Sequence, residues 1–488
     1  MALDHNGHLT IFHTNDIHSH FETVSSIAAL INYEKSMVSD SPVLLLDIGD
    51  HMDRMAMETE GSMGQVNADI LNLTGYDAIT IGNNEGLTFT PDILSSAYAG
   101  LLCPIVCCNI REVEGGTSPP WMKDYIILTK GDITIGITGA TAPYDNFYRL
   151  IGWRALEPIS ALEEQIKYLR PRVDILIVLS HLGLPTDRLL AEQVEGIDLI
   201  LGGHTHHLLE EPLFIGNTAI CATGKFGQYV GKVTMQRDQE GGFRVISGKC
   251  LPVDLSLVED TITEALMIHQ KQAETVLNQT VAVTDRVLPL NLDDQESPFG
   301  NLLAQSLYYF TACELSMVNA GQLLGSLHEG EISSGLLHSL CPSPINVSVL
   351  KLKGSDIRYI LEQSLLPEFT EKKITGYGFR GKVLGSMALD GVKVLYDSQR
   401  IPYDRIIEVS VQGEPLIDIK EYVVGTIDMF TFRVGYERIA DGQDIRYIMP
   451  EFLRDILRTE LQRPGSLDES YEARWIDVSQ TKHDEMDY

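Results

Sequence analysis

Polar residues stand at the ends of short apolar runs in the first half of the chain: Asp16 and His18, Asp50, Asn83, His181, and the pair His204 and His206. Carboxylate and amide oxygens mixed with several imidazoles make an N/O donor set that suits borderline-hard divalent cations such as Mn²⁺, Zn²⁺ or Fe²⁺. A carboxylate shared by two such ions, for which Asp50 is the natural candidate, would hold them ~3.5–4 Å apart and make a nucleophilic hydroxide at neutral pH. Any one of these histidines taken alone reads as an ordinary structural side chain. Taken together they do not, because a structural account needs several unrelated coincidences at strand ends.

The elements that must position this set are legible as LTIFHT, PVLLLDIGD, DAITIGNN, CPIVCCN, ITIGITGA, DILIVLSH and IDLILGGH. Runs so uniformly apolar suit strands covered on both faces, and they alternate with longer amphipathic stretches, so a layered α/β domain is expected. An open α/β sheet places its ligands at the C-terminal ends of its strands, which is where these polar residues fall. The segment EDTITEALMIHQKQAETVLNQ reads as one amphipathic helix opened by Asp260 or Thr261. Beyond it, helical stretches (FGNLLAQSLYYFTA, SDIRYILEQSL, EFLRDILRTEL) mix with alternating strands such as VKVLYD and IIEVSVQG, which predicts an α+β domain. The expected division is residues 1–257, a linker helix over 258–278, and a second domain over 279–488, with the tail QTKHDEMDY disordered.

Length and charge agree with this division and narrow the function. At 488 residues the chain exceeds what one core fills, since single cores stop growing near ~250–300 residues. With 37 Lys and Arg against 68 Asp and Glu, the net charge of −31 argues against nucleic acid polymers and anionic membranes as partners. An anionic small molecule remains compatible if metal ions invert the field locally. The opening MALDHNGHLTIFHTNDIH has neither a basic nor an apolar leader region, and the seven cysteines include no C-x-x-C pair. A soluble protein with free thiols in a reducing cytoplasm is expected.

At the level of motifs the sequence resembles the calcineurin-like metallophosphoesterases, and within them the two-domain 5′-nucleotidase group. LTIFHTNDIHSHF resembles that group's first signature, LLLDIGD its G-D motif, YDAITIGNNE its second signature, VLSHLG its lone-His motif and GGHTHH its G-H-x-H motif. In the second half QESPFGNLLAQSL, SMVNAGQLLG, LKLKGSDIRYILEQSL and VVGTIDMFTFRVGY are similar, more loosely, to the group's C-terminal domain. The resemblance implies an αββα sandwich joined by a helix to an α+β substrate domain, with a substrate pocket in the interdomain cleft. It implies that Asp16, His18, Asp50 and His206 serve one metal, and Asp50, Asn83, His181 and His204 the other. Phosphoester hydrolysis through attack of a metal-bound hydroxide is the implied reaction.

Three departures from the pattern bear on mechanism. The second signature of the group continues G-N-H-E-F-D, whereas here it reads Gly82-Asn83-Asn84-Glu85-Gly86-Leu87, so the proton-donating His is Asn84 and its Asp partner is absent. An Asn can hydrogen-bond to a developing charge but cannot deliver a proton, and losing a general acid costs ~10²–10⁴ in rate, less for an acidic leaving group. Phosphoanhydrides, activated esters and cyclic phosphates are therefore favoured over alkyl monoesters, with His51 and Arg54 as candidates to take over the lost role. The Arg of N-x-G-G-x-R is missing from Asn319-Ala320-Gly321-Gln322-Leu323-Leu324, leaving Arg380 and Arg433 as candidate substitutes. The Asp of G-D-G-Y is Val434, while Phe430 and Phe432 remain candidates for stacking on a base.

Asn109, ending CPIVCCN, is a further candidate for substrate contact or for capping its strand. His13, His20 and His207 flank the metal motifs as candidate orienting partners, and His5, His8, His269, His328, His338 and His483 read as surface residues. Gly376-x-x-x-x-Gly381-Lys382 approaches a phosphate-binding loop, but Val383 occupies the Ser/Thr position, so it is read as an ordinary loop. The expectation is a dimetal phosphohydrolase acting on nucleotides or related phosphate esters. The alternative is a metal-bearing binding or regulatory protein with little or no activity.

Overall fold

The computed structural model describes residues 7–38, 41–292 and 295–479, and the chain divides into two compact units, Met1–Glu274 and Thr275–Tyr488. His5, His483 and the tail QTKHDEMDY lie outside the described residues.

The strands of the first unit's two large sheets, in chain order, are β1 (His8–Thr14), β2 (Val43–Asp47), β3 (Ala78–Ile79), β4 (Ile105–Val106), β5 (Met122–Lys123), β6 (Tyr125–Lys130), β7 (Ile133–Thr141), β8 (Ile175–His181), β9 (Leu199–Gly202), β10 (Leu213–Ile215), β11 (Thr218–Cys221), β12 (Tyr229–Arg237) and β13 (Phe243–Pro252). They form a 7-stranded sheet, β13-β12-β1-β2-β3-β4-β5, and a 6-stranded sheet, β10-β11-β9-β8-β7-β6. Pairing is parallel from β1 to β5 in the first sheet and among β7, β8, β9 and β11 in the second, with antiparallel strands only at the edges.

The uniform apolarity of these strands has a direct cause. Ile175, Ile177 and Leu179 of β8 meet Leu9, Ile11, Leu44 and Leu46 in the core between the sheets. Leu176 and Val178 point the other way, into a second core with Leu162, Ile166 and Leu169 of the helix Pro158–Leu169 and Leu190 of the helix Leu184–Gln193. Both faces are covered, so period-2 alternation disappears. The result is the αββα sandwich anticipated from the resemblance.

Helices that matter for the site are α1 (Phe21–Ser36), α2 (Asn83–Thr88), α3 (Asp145–Tyr148) and α4 (Asp260–Leu277). The N-terminal part of α4 is tied to the first unit: Thr263 Oγ1 lies 3.0 Å from Ser25 Oγ of α1, and His269 Nε2 lies 2.8 Å from Asp69 Oδ2. His269 is therefore a paired residue and not a plain surface one, its side chain 12% exposed.

In the second unit α5 (Pro298–Thr311), capped by Ser297 Oγ accepting from Gly300 N, packs on a 5-stranded sheet. That sheet contains β14 (Leu315–Asn319), β15 (Asn346–Lys353), β16 (Met387–Asp390), β17 (Glu421–Ile427) and β18 (Gln443–Phe452), ordered β16-β14-β17-β15-β18. A second, 4-stranded sheet and the helices Gly354–Ser364 and Leu453–Leu461 complete the expected α+β mixture. His338 is a correction to the surface assignment: it lies on the helix Ser334–Leu340 and is 2% exposed.

Candidate metal centre

Five strand ends of the first unit converge on one place. The loop after β1 carries Asp16 and His18, the loop after β2 carries Asp50, α2 opens on Asn83 just after β3, β8 ends on His181, and the loop after β9 carries His204 and His206. Asp16, His18, Asp50, His204 and His206 all adopt positive φ, between 49° and 70°, a conformation that costs side-chain-bearing residues free energy and clusters at functional sites. The loops also approach closely: a Cβ on Gly82 would lie 2.0 Å from Asp50 Oδ1, so only glycine fits there.

Asp16 Oδ1 lies 3.4 Å from His206 Nε2, 3.7 Å from His18 Nε2 and 4.0 Å from His181 Nε2. Asp50 Oδ2 lies 3.3 Å from His181 Nε2 and 3.8 Å from His18 Nε2. Such separations suit donors arranged around a cation at ~2.0–2.2 Å from each. Two ligand clusters result, Asp16 with His18 and His206, and Asp16 with Asp50 and His181. Asp16 is common to both groups, and Asp50, the shared carboxylate expected from the sequence, faces both His18 and His181.

The remaining contacts aim these atoms inward. Asp16 Oδ2 accepts from Asn15 Nδ2 at 2.7 Å and from His204 N at 3.0 Å, while Asp50 Oδ1 accepts from Asn84 N at 2.8 Å. His181 Nδ1 rests 2.8 Å from the Ile48 carbonyl, which turns Nε2 to the carboxylates. His181 Nε2 and Asn83 Oδ1 are both buried without a hydrogen-bond partner. Asn83 Oδ1, and His181 Nε2 facing Asp50 Oδ2 at 3.3 Å, are polar atoms whose bonding capacity a bound cation would satisfy. His204 sits beside His181 with ring centroids 5.3 Å apart, but its Nε2 is 3.1 Å from Tyr144 Oη, and it stands outside the two carboxylate clusters.

Electrostatics report the same demand for positive charge. Burial alone would push the His181 pKa down, but the carboxylates of Asp50 and Asp16 outweigh it and raise it to about 10. Burial also opposes ionisation of Asp16, yet the imidazoles of His18, His206 and His181 around it hold it well below the usual carboxylate range. Glu85, overlooked as a functional residue in the sequence, is fully buried and accepts from Gly82 N (2.8 Å), Asp50 N (3.0 Å) and Met52 N (2.9 Å). It binds the loops after β2 and β3 into one body. Tyr144 and Phe226 also escaped the sequence reading, because their loops carry no distinguishing spacing. The Phe226 ring lies 5.8 Å from that of His18 and 4.0 Å from that of His20.

Several sequence candidates fall elsewhere. His51 is 3% exposed, and burial pushes its pKa down to about 3, so it is neutral and not a solvated acid. Arg54 clamps Glu60 with Nε and Nη2 at 2.7 and 2.9 Å and donates from Nη1 to the Thr88 carbonyl. Asn109 is fully buried and bridges strands, donating to Thr141 O at 2.8 Å and accepting from Thr141 N at 2.9 Å, so its role is to cap and connect. His13 is buried against Gly231 and kept neutral by burial, while His207 turns to Thr205 Oγ1 and His20 to Glu22. His8 is half-buried, and His328 is exposed as expected.

In the second unit Asn319 is buried and donates to the Leu384 carbonyl. Arg433 pairs with Asp441 at 2.6 Å, and Arg380 is half-buried in the loop that follows Gly376. Phe430 is 0% exposed and belongs to the core beside Tyr436, which corrects its assignment as a base-stacking residue. Phe432 is 39% exposed and stacks between Tyr377 and Tyr447, with centroids 6.2 and 6.4 Å away.

Residues 9–208 match the family model described as calcineurin-like phosphoesterase, and residues 278–435 that of the 5′-nucleotidase C-terminal domain. The chain is 34% identical over 463 residues to an uncharacterized metallophosphoesterase, YunD, of Bacillus subtilis (strain 168), covering 93% of this chain and 99% of that one. It is 25% identical over 461 residues to the 5′-nucleotidase of Rattus norvegicus, covering 83% and 77% respectively. The solved structure of the Haemophilus influenzae NAD nucleotidase superposes with a TM-score of 0.68 over 96% of this chain and 99% of that one, at 15% identity, a likeness of fold alone.

Proposed function

The chain belongs to the calcineurin-like metallophosphoesterases of the two-domain 5′-nucleotidase type and is a hydrolase of that metal-dependent class; from that premise we propose that it cleaves small phosphate esters whose leaving groups need little protonation. Nucleotide-like phosphoanhydrides and cyclic phosphates are the preferred substrates. The observation that carries the reading is the cage itself, with two buried carboxylates facing the orphaned His181 Nε2 and Asn83 Oδ1. Asp16, His18, Asp50, Asn83, His181, His204 and His206 would hold two divalent cations, with Mn²⁺, Zn²⁺ or Fe²⁺ as the proposed identities, and these would supply Lewis acidity and an activated water there.

The protein's part is to hold and aim. Asn15, His204 N and Asn84 N fix the outer carboxylate oxygens, and Glu85 fixes the loops. No proton is delivered from position 84, and neither His51 nor Arg54 replaces it, which supports acidic leaving groups. Phe432, exposed between Tyr377 and Tyr447, supports stacking on a nucleobase. All seven cysteines are free thiols, which supports a reducing cytoplasmic compartment, and the net charge of −31 speaks against nucleic acid polymers and anionic membranes. Among the described residues no helix is long and apolar enough to cross a membrane.

The test is hydrolysis by metal-stripped protein reloaded with Mn²⁺, using an aryl phosphodiester, AMP and a 2′,3′-cyclic nucleotide, with Asp50→Asn as control. Turnover should require the metal, vanish in the control and be fastest for the better leaving groups. Two metals bound per chain with no turnover of any ester would overturn the proposal in favour of a binding role.

A further inference from the structure

Asn84 occupies the place where the family pattern has its proton-donating histidine, yet its contacts run into the cage. Its backbone N donates to Asp50 Oδ1 at 2.8 Å, its Oδ1 accepts from Asn83 Nδ2 at 3.3 Å, and its amide nitrogen lies 2.8 Å from His18 Nδ1. One residue therefore touches three of the candidate ligands, and the contact with His18 is the most informative. His18 Nε2 is the ring atom that faces the centre, 3.7 Å from Asp16 Oδ1, 3.8 Å from Asp50 Oδ2 and 3.1 Å from His206 Nε2. An imidazole offers a lone pair from Nε2 only when its proton sits on Nδ1, so whatever holds Nδ1 sets the ligand.

Two groups approach that atom. The Asn84 amide is within hydrogen-bond distance, whereas Asp53 Oδ2, at 3.8 Å, is beyond it. The two ends of a carboxamide have nearly the same shape, so the end presented is decided by the proton it meets. Nδ2 donates to a bare Nδ1, and Oδ1 accepts from a protonated one. Building on the metal-dependent function above, we propose that Asn84 is a positioning residue: its amide turns to accept the Nδ1 proton of His18, fixing the tautomer that lets His18 Nε2 hold a cation. The position that lacks the acid thereby becomes part of the metal cage. The turn gives up the contact of Asn84 Oδ1 with Asn83 Nδ2 at 3.3 Å and the long one from Asn84 Nδ2 to the Met52 carbonyl at 3.4 Å, in exchange for the Nδ1 proton of His18. Leu87 stands where the pattern's Asp would hold a histidine at 84, so restoring that histidine alone would not rebuild the acid.

The test compares the full-length wild type with Asn84→Ala, Asn84→Asp and Asp53→Asn. Mn²⁺ affinity is read by competition with a fluorescent chelator, and the His18 tautomer by long-range ¹H–¹⁵N correlation in ¹⁵N-histidine-labelled, Zn²⁺-loaded protein. Asn84→Ala should weaken the metal roughly 10–100-fold, as loss of a ligand-orienting partner does. Asn84→Asp, whose carboxylate accepts the same proton, should restore affinity, and Asp53→Asn should leave it unchanged. Asn84→Leu, of similar size without hydrogen bonding, serves in place of the alanine variant if that one unfolds. Wild-type affinity in Asn84→Ala or Asn84→Leu, or a loss confined to Asp53→Asn, would overturn the assignment. A wild type that takes up no divalent cation at all would instead overturn the proposed function on which it rests.

Discussion

His51 follows Asp50 directly, and burial treats the two side chains in opposite ways. Burial pushes the Asp50 carboxyl up, but His181 and His18 outweigh it and keep Asp50 ionised, whereas no carboxylate rescues His51, whose pKa burial drives down to about 3. A neutral imidazole that titrates near 3 has no proton to give at pH 7. Its Nδ1 lies 3.1 Å from Asn67 Nδ2, a structural contact. His51→Asn is therefore expected to leave the ratio of rates for alkyl and aryl leaving groups unchanged, with no loss of an acid limb between pH 5 and 8. A fall of ~10²–10⁴ confined to poor leaving groups, the signature of a lost general acid, would reinstate it. The ligand types were readable from the sequence because metal chemistry restricts them to few side chains at strand ends. The fates of His51 and Arg54 were not, since both depend on burial and on partners such as Asn67, Glu60 and Thr88, which no local pattern reveals.

At the scale of elements the same contrast appears between the strands and the short helices that brace them. The parallel strands were legible as apolar runs, and the helix Asp260–Leu277 as an amphipathic stretch, because each carries its own pattern. The packing of α2 against α3 was not. Gly86 stands where the family pattern has Phe, and a Cβ there would lie 2.6 Å from the ring of Tyr148, which is 0% exposed. Tyr148, far along the chain, thus fills the space that Gly86 leaves open, and only the folded contact shows it. Gly86→Ala should destabilise the protein by about 1–3 kcal/mol through overpacking. Trimming the ring in Gly86→Ala/Tyr148→Ala should remove that increment, so that a double-mutant cycle in urea gives a coupling of about 0.5–3 kcal/mol. Additive effects would mean that the two residues do not share this space.

At the scale of the whole molecule, a chain of net charge −31 must admit an anionic substrate to a centre built around Asp16 and Asp50. Two fields of different range decide how it does so. The cation demand of the cage acts over a few ångströms, shorter than the Debye length of ~8 Å at physiological ionic strength, and salt screens it little. The negative charge of the molecule acts at longer range, and at 0.01 M salt, where the Debye length is ~30 Å, it lowers the local concentration of any phosphate ester. Raising ionic strength from 0.01 to 0.15 M with a weakly coordinating salt should therefore increase kcat/KM, and more for dianionic AMP than for a monoanionic aryl phosphodiester. Saturating rates should change less, because the bound substrate has already crossed the long-range field. A decrease in kcat/KM with salt, steeper for the dianion, would show that local positive charge extends beyond the cage and steers the substrate in, placing cationic side chains of the protein, and not the cage alone, in charge of capture.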